Sequence, residues 1–93
     1  MAAADQAQML ALQALGWLVA QPDHIGGFLA ASGLSPDDLR ARAGEPEFLA
    51  SVLDFLLQDE PLLLAFCADT GQAPQKPMQA RALLPGGEQP HWT

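Results

Sequence analysis

Positive charge is scarce in this chain. Of 93 residues only Arg40, Arg42, Lys76 and Arg81 are basic, against eleven aspartates and glutamates, for a formal net charge of −7. A surface of that sign repels phosphate, so nucleic acids and anionic lipid headgroups are poor partners. Cysteine is almost missing: Cys67 stands alone and cannot close an internal disulfide, which agrees with a reducing, cytoplasmic compartment. Histidine is limited to His24 and His91, and His24 has only Asp23 beside it. Zinc needs three or four converging ligands, so neither a metal nor a cofactor is expected. The opening Met1-Ala2-Ala3-Ala4-Asp5 has no basic segment, and Gln6, Gln8 and Gln13 interrupt the first apolar stretch. It is therefore expected to be neither a signal peptide nor a membrane span. No segment alternates apolar and polar residues as a strand does.

What the chain does have is apolar content, 49% of its residues, and sharp punctuation. A chain of this size buries roughly 60–65% of its unfolded surface around one core. A single helical domain is expected over residues 1–84, followed by a loose tail, 85–93, rich in turn residues and without periodicity. The pattern Gly-x-x-Pro occurs twice, as Gly33-Leu34-Ser35-Pro36 and Gly71-Gln72-Ala73-Pro74. Sliding residues 12–36 onto 50–74 brings Leu15, Leu18, Phe28, Ala30, Gly33 and Pro36 onto Leu53, Leu56, Phe66, Ala68, Gly71 and Pro74. Trp17 falls on Phe55 in the same alignment. The matches sit on apolar helix positions and on helix boundaries, which suits two repeated helical units; chance matching in a chain rich in leucine and alanine is the alternative. In either case both glycines are expected to end helices with positive φ.

The fold class that follows is all-α, a compact bundle of five to six short helices. The first is expected over 5–21, capped by Asp5, with Met9, Leu12, Leu15, Trp17, Leu18 and Val19 as its apolar stripe. Pro22 breaks it and opens a second over 22–32, in which Gly26-Gly27 would permit close helix packing. Ser35 caps a third, with Asp37 and Asp38 at its positive end, Arg40 and Arg42 at its negative end, and Gly44 beyond. A fourth, 46–59, is expected to be the most buried, with Leu53 and Leu56 in the core. Pro61 starts a fifth that ends at Gly71. A weaker sixth, starting at Pro74 or Pro77 and reaching Leu84, would turn Met78, Ala82 and Leu83 inward.

Chemistry is hard to find in these residues. Cys67 lies among Phe66, Ala68 and leucines, the setting of a buried small hydrophobe rather than an activated nucleophile. The acidic pairs Asp37/Asp38 and Asp59/Glu60 fall at helix starts, where capping and the helix dipole account for them. No Gly-rich phosphate loop is present. The stretch 28–42 reads as two helices joined by a Gly-containing turn and so has the outline of a DNA-binding helix-turn-helix, but its second helix carries two Asp and two Arg where a recognition helix usually carries several basic residues. No catalytic, cofactor-binding or metal-binding residues are therefore assigned.

Three runs carry a family resemblance: ALQALGWL in the first helix, GLSPDDLRARAGEPEFLASVLDFL in the centre and DEPLLLAFCADTG after it. Together they resemble a family of short proteins of unknown function found mainly in alphaproteobacteria, over residues 9–84. The resemblance implies a small, all-helical, cytoplasmic bacterial protein and brings no catalytic residues with it. Lys76-Pro77 departs from the smoother helix the family pattern implies and leaves the start of the sixth helix open.

The function expected is a non-enzymatic protein-interaction or regulatory module. The wide apolar faces of the fourth and fifth helices point to a homodimer or a protein partner, with Trp17, the helix-five leucines or Trp92 as anchors. A helix-turn-helix regulator is the second reading, and an enzyme or small-ligand binder the third.

Overall fold

A computed structural model describes residues 3–84. The tail over 85–93, with His91 and Trp92, lies outside the described residues. Six helices follow one another: α1 (Ala3–Val19), α2 (Pro22–Ser32), α3 (Pro36–Arg42), α4 (Pro46–Leu57), α5 (Glu60–Thr70) and α6 (Gln75–Ala82). There is no strand among the described residues. Proline sits in the first turn of α2, α3, α4 and α5, where its missing N–H is not needed and its fixed φ already suits a helix. Gly33 and Gly71 close α2 and α5 with φ of 73° and 71°. Their amides bond back to the carbonyls of Leu29 and Cys67, the left-handed cap that a residue with a Cβ adopts only under strain.

Several boundaries and faces differ from expectation, each for a local reason. Asp5 falls within the first turn of α1 rather than before it, and α1 stops at Val19. α4 ends at Leu57 because Asp59 is taken as the cap of α5, its carboxylate accepting from the Leu62 amide at 3.3 Å. α6 starts at Gln75, with Pro74 as its cap residue. Pro77 is then the third residue of the helix, a position whose N–H has no partner within the helix. The inward residues of α6 are Pro77 and Ala80, with Leu84 just beyond, while Met78, Ala82 and Leu83 are exposed. In α1 the buried line is Ala7, Ala11, Ala14, Leu15 and Leu18; Met9, Leu12 and Val19 face outward. Size misled the reading of the sequence: small residues belong on the face where helices approach closely, and α1 lies against α2, α4 and α6. A Cβ added at Gly26 would meet nothing within 4 Å, and one added at Gly27 would meet only the Phe55 ring at an ordinary 3.7 Å, so the glycine pair does not mark a tight helix crossing.

α4 is the centre of the bundle, with Phe48, Leu49, Ala50, Val52, Leu53 and Leu56 all buried. Its apolar face is therefore covered by the chain itself, against α1, α5 and α6. The two repeated units correspond closely. α2 and α5 are both 11 residues long, positions 22 to 32 and 60 to 70, and α1 and α4 end at Val19 and Leu57, the same offset of 38. Equivalent pairs Ala11 and Leu49, Ala14 and Val52, Leu15 and Leu53, Leu18 and Leu56, and Phe28 and Phe66 are buried in both units. The aromatic contacts are exchanged between the units. Trp17 meets Phe66 edge-on at 5.5 Å, while Phe55, the equivalent of Trp17, meets Phe28, the equivalent of Phe66, at 5.2 Å. Such reciprocal contact is the pattern of two subunits around a two-fold axis, here within one chain.

Candidate functional site

The residues singled out for chemistry are occupied with structure. Ser35 and Asp38 form a capping box: the Ser35 amide donates to Asp38 Oδ2 at 2.9 Å, and the Asp38 amide donates to Ser35 Oγ at 3.4 Å. Hydrogen bonds from the backbone and then the side chain of Ser35 hold the Asp38 carboxyl below the usual carboxylate range, with the nearby Arg42 charge adding to the effect. Arg42 Nη1 in turn lies 3.5 Å from Glu45. Cys67 is buried, its Sγ 3.9 Å from the Ala73 carbonyl, and burial pushes its thiol up. That is the opposite of an activated nucleophile. Among the described residues no three His, Cys, Asp or Glu side chains converge on a metal position.

Trp17 is half-buried and spoken for. Its indole Nε1 donates to Asp69 Oδ2 at 2.8 Å, which ties α1 to the C-terminal turn of α5 in addition to the Phe66 contact. It therefore braces the fold. The helix-five leucines divide, Leu62 and Leu63 going inside and Leu64 outside with 46% of its surface exposed.

A sizeable concavity lies between α1 and α6, a groove of about 680 Å³. Its floor is Ala7 and Ala80, both buried, and the small size of these residues makes the depression. Its walls are Met9, Leu10 and Leu83; Met9 is 59% and Leu83 50% exposed. The rim is polar but carries no negative charge: Gln6, Gln13, Gln72, Gln79 and Lys76. Gln72 Nε2 donates to Gln13 Oε1 at 2.8 Å and closes one end. Lys76 is in no ion pair among the described residues, whose two pairs are Arg42–Glu45 and Arg81–Asp54. Met9 also borders a smaller depression of about 290 Å³, which reaches Leu12, Ala43 and Gly44.

No sequence argument selected this groove. Apolar patterning alone puts Met9 and Leu83 inside, and the distance between them in the chain hides that both line one groove. The signal that was available is the run of uncharged residues in α1, whose single charge is Asp5.

The described residues thus form an all-helical domain with an apolar groove, rimmed by amides and one ammonium group, between α1 and α6. The chain belongs to the family described as protein of unknown function (DUF3572), whose model matches residues 4–87. No curated protein and no solved structure matches it.

Proposed function

We propose that this protein is a non-enzymatic interaction module that recognises a helical segment of a protein through the α1–α6 groove. The observation that carries this reading is the groove itself, an apolar channel flanked by two exposed side chains, Met9 and Leu83, on an otherwise acidic molecule. Grooves of this type accept the apolar face of an amphipathic helix, with anchors one helical turn apart. The absence of any helix among the described residues long and apolar enough to cross a membrane agrees with that use. Affinity capture from the native cytoplasm tests it, comparing the wild type with Met9→Glu and Leu83→Glu. A partner lost with both substitutions, and retained with Ala30→Glu on exposed α2, supports the reading; capture indifferent to the groove substitutions overturns it.

The second reading, a helix-turn-helix DNA-binding regulator, draws on the α2–turn–α3 pair. Its weakness is electrostatic. A recognition helix meets bases with its N-terminal residues, and here those are Pro36, Asp37 and Asp38, while Arg42 is held by Glu45. Titration of labelled duplex at low salt separates the two readings, since DNA binding gives micromolar affinity that falls steeply with added salt.

A further inference from the structure

We propose that the occupant of the groove is the outward face of α5 from a second copy of this chain, in a head-to-tail contact; this rests on the groove reading above. Charge is the first argument. The groove offers Lys76 and no anion, and α5 begins with Glu60, which is exposed and in no ion pair among the described residues.

Shape is the second. Of the outward residues of α5 after Glu60, Asp69 is turned to the Trp17 indole, and Pro61, Leu64, Ala65 and Ala68 make a smooth face with one projecting side chain. A helix with alanines beside a single leucine can approach a floor of Ala7 and Ala80 closely. At 1.5 Å of rise per residue, Glu60 to Ala68 spans about 12 Å, and Lys76 to Leu83 spans about 10 Å of α6. The register that sets Glu60 against Lys76 carries Leu64 one turn further, about 6 Å, toward Ala80 at the base of the groove. The groove and the α5 face are different surfaces of one molecule, so the contact is heterologous and continues to larger species instead of stopping at a dimer.

The test uses the full chain, followed by sedimentation velocity over a tenfold concentration range at about 0.15 M salt, where the Debye length of about 8 Å screens the repulsion between two acidic copies. The wild type is expected to grow past the dimer. Leu83→Glu on the groove and Leu64→Glu on the face are each expected to abolish association, with circular dichroism confirming that both fold. Mixed one to one, they are expected to form a dimer and nothing larger, because each retains the surface that the other lost. Lys76→Glu is expected to weaken association about two- to fivefold, as for an exposed ion pair, and pairing it with Glu60→Lys should restore the loss. A wild type that stays monomeric throughout, or a mixture that does not dimerise, overturns the proposal. If a monomeric wild type still captures another protein through Met9 and Leu83, only the second-copy occupant falls; if that capture is lost too, the groove reading falls with it.

Discussion

The α1–α2 unit and the α4–α5 unit share boundaries and exchange aromatic contacts, yet they were given different work. Where α4 places Leu49 and Val52 in the core, α1 places Ala11 and Ala14. On the outside the contrast reverses. The positions of α4 equivalent to Met9 and Gly16 hold Glu47 and Asp54, and Asp54 accepts from Arg81 Nε at 2.7 Å. One unit therefore has a filled interior and a charged exterior; the other has a lean interior and a bare exterior. The turns that follow the two units divide the other way. Ser35 and Asp38 cap α3, whereas the equivalent positions before and in α6 are Ala73 and Lys76, and α6 begins without a side-chain cap. Two units with matching boundaries thus differ in what they bury and in what they expose.

The largest test of this division is in the core. Leu53 and its equivalent Leu15 are both buried, Leu53 completely and Leu15 with 6% of its surface exposed. Leu53→Ala is expected to cost about 2–5 kcal/mol in urea unfolding, and Leu15→Ala less, because the cost grows with the cavity left behind. Equal losses would erase the distinction between the two interiors.

At the boundaries the units should instead behave alike. Gly33→Ala and Gly71→Ala each force a Cβ into the left-handed region with no neighbouring atom in the way, so backbone strain alone should destabilise each by about 1 kcal/mol or more. A neutral result at either glycine, read from the denaturation midpoint, breaks the correspondence of the two caps.

The exchanged aromatics allow a finer comparison. Double-mutant cycles on Trp17 with Phe66 and on Phe55 with Phe28, each ring replaced by leucine, should return similar couplings of about 0.5–1.5 kcal/mol. Asp69→Asn, which weakens the Trp17 hydrogen bond, should affect only the first cycle. A coupling confined to one pair would deny the internal two-fold relation.

The smallest effect is a pH dependence that only the first unit's turn carries. The Asp38 carboxyl titrates lower in the folded protein than in the unfolded chain. Its contribution is therefore complete above the ordinary carboxylate pKa of about 4 and is lost as pH falls through the lowered folded value. Replacing Asp38 with asparagine should flatten stability against pH in that acid range, while Ser35→Ala, which keeps the amide that donates to Asp38, should flatten it only in part; urea midpoints measured from pH 6 down to 2 would reveal a slope that persists in the asparagine variant if Asp38 is not its source.

Helix number, the proline starts, the two glycine caps and the central place of α4 were legible in the sequence, because each depends on a residue type with a local conformational preference. The facing of α1 and α6 was not. Met9, Leu12, Met78 and Leu83 are as apolar as any core residue, and which side of a helix is covered depends on partners far away in the chain. The groove shares that origin: Ala7 and Ala80 are unremarkable apart, and only their juxtaposition makes a depression.

Composition and punctuation by themselves determined an acidic, all-helical domain of five to six short helices, since charge, capping and proline geometry act within a few residues. Tertiary structure decided which apolar side chains remain outside, that Trp17 is a brace tied to Asp69, and that Lys76 borders an apolar channel. Those outcomes follow from how the helices pack against one another, and packing is a relation between residues that no local pattern contains.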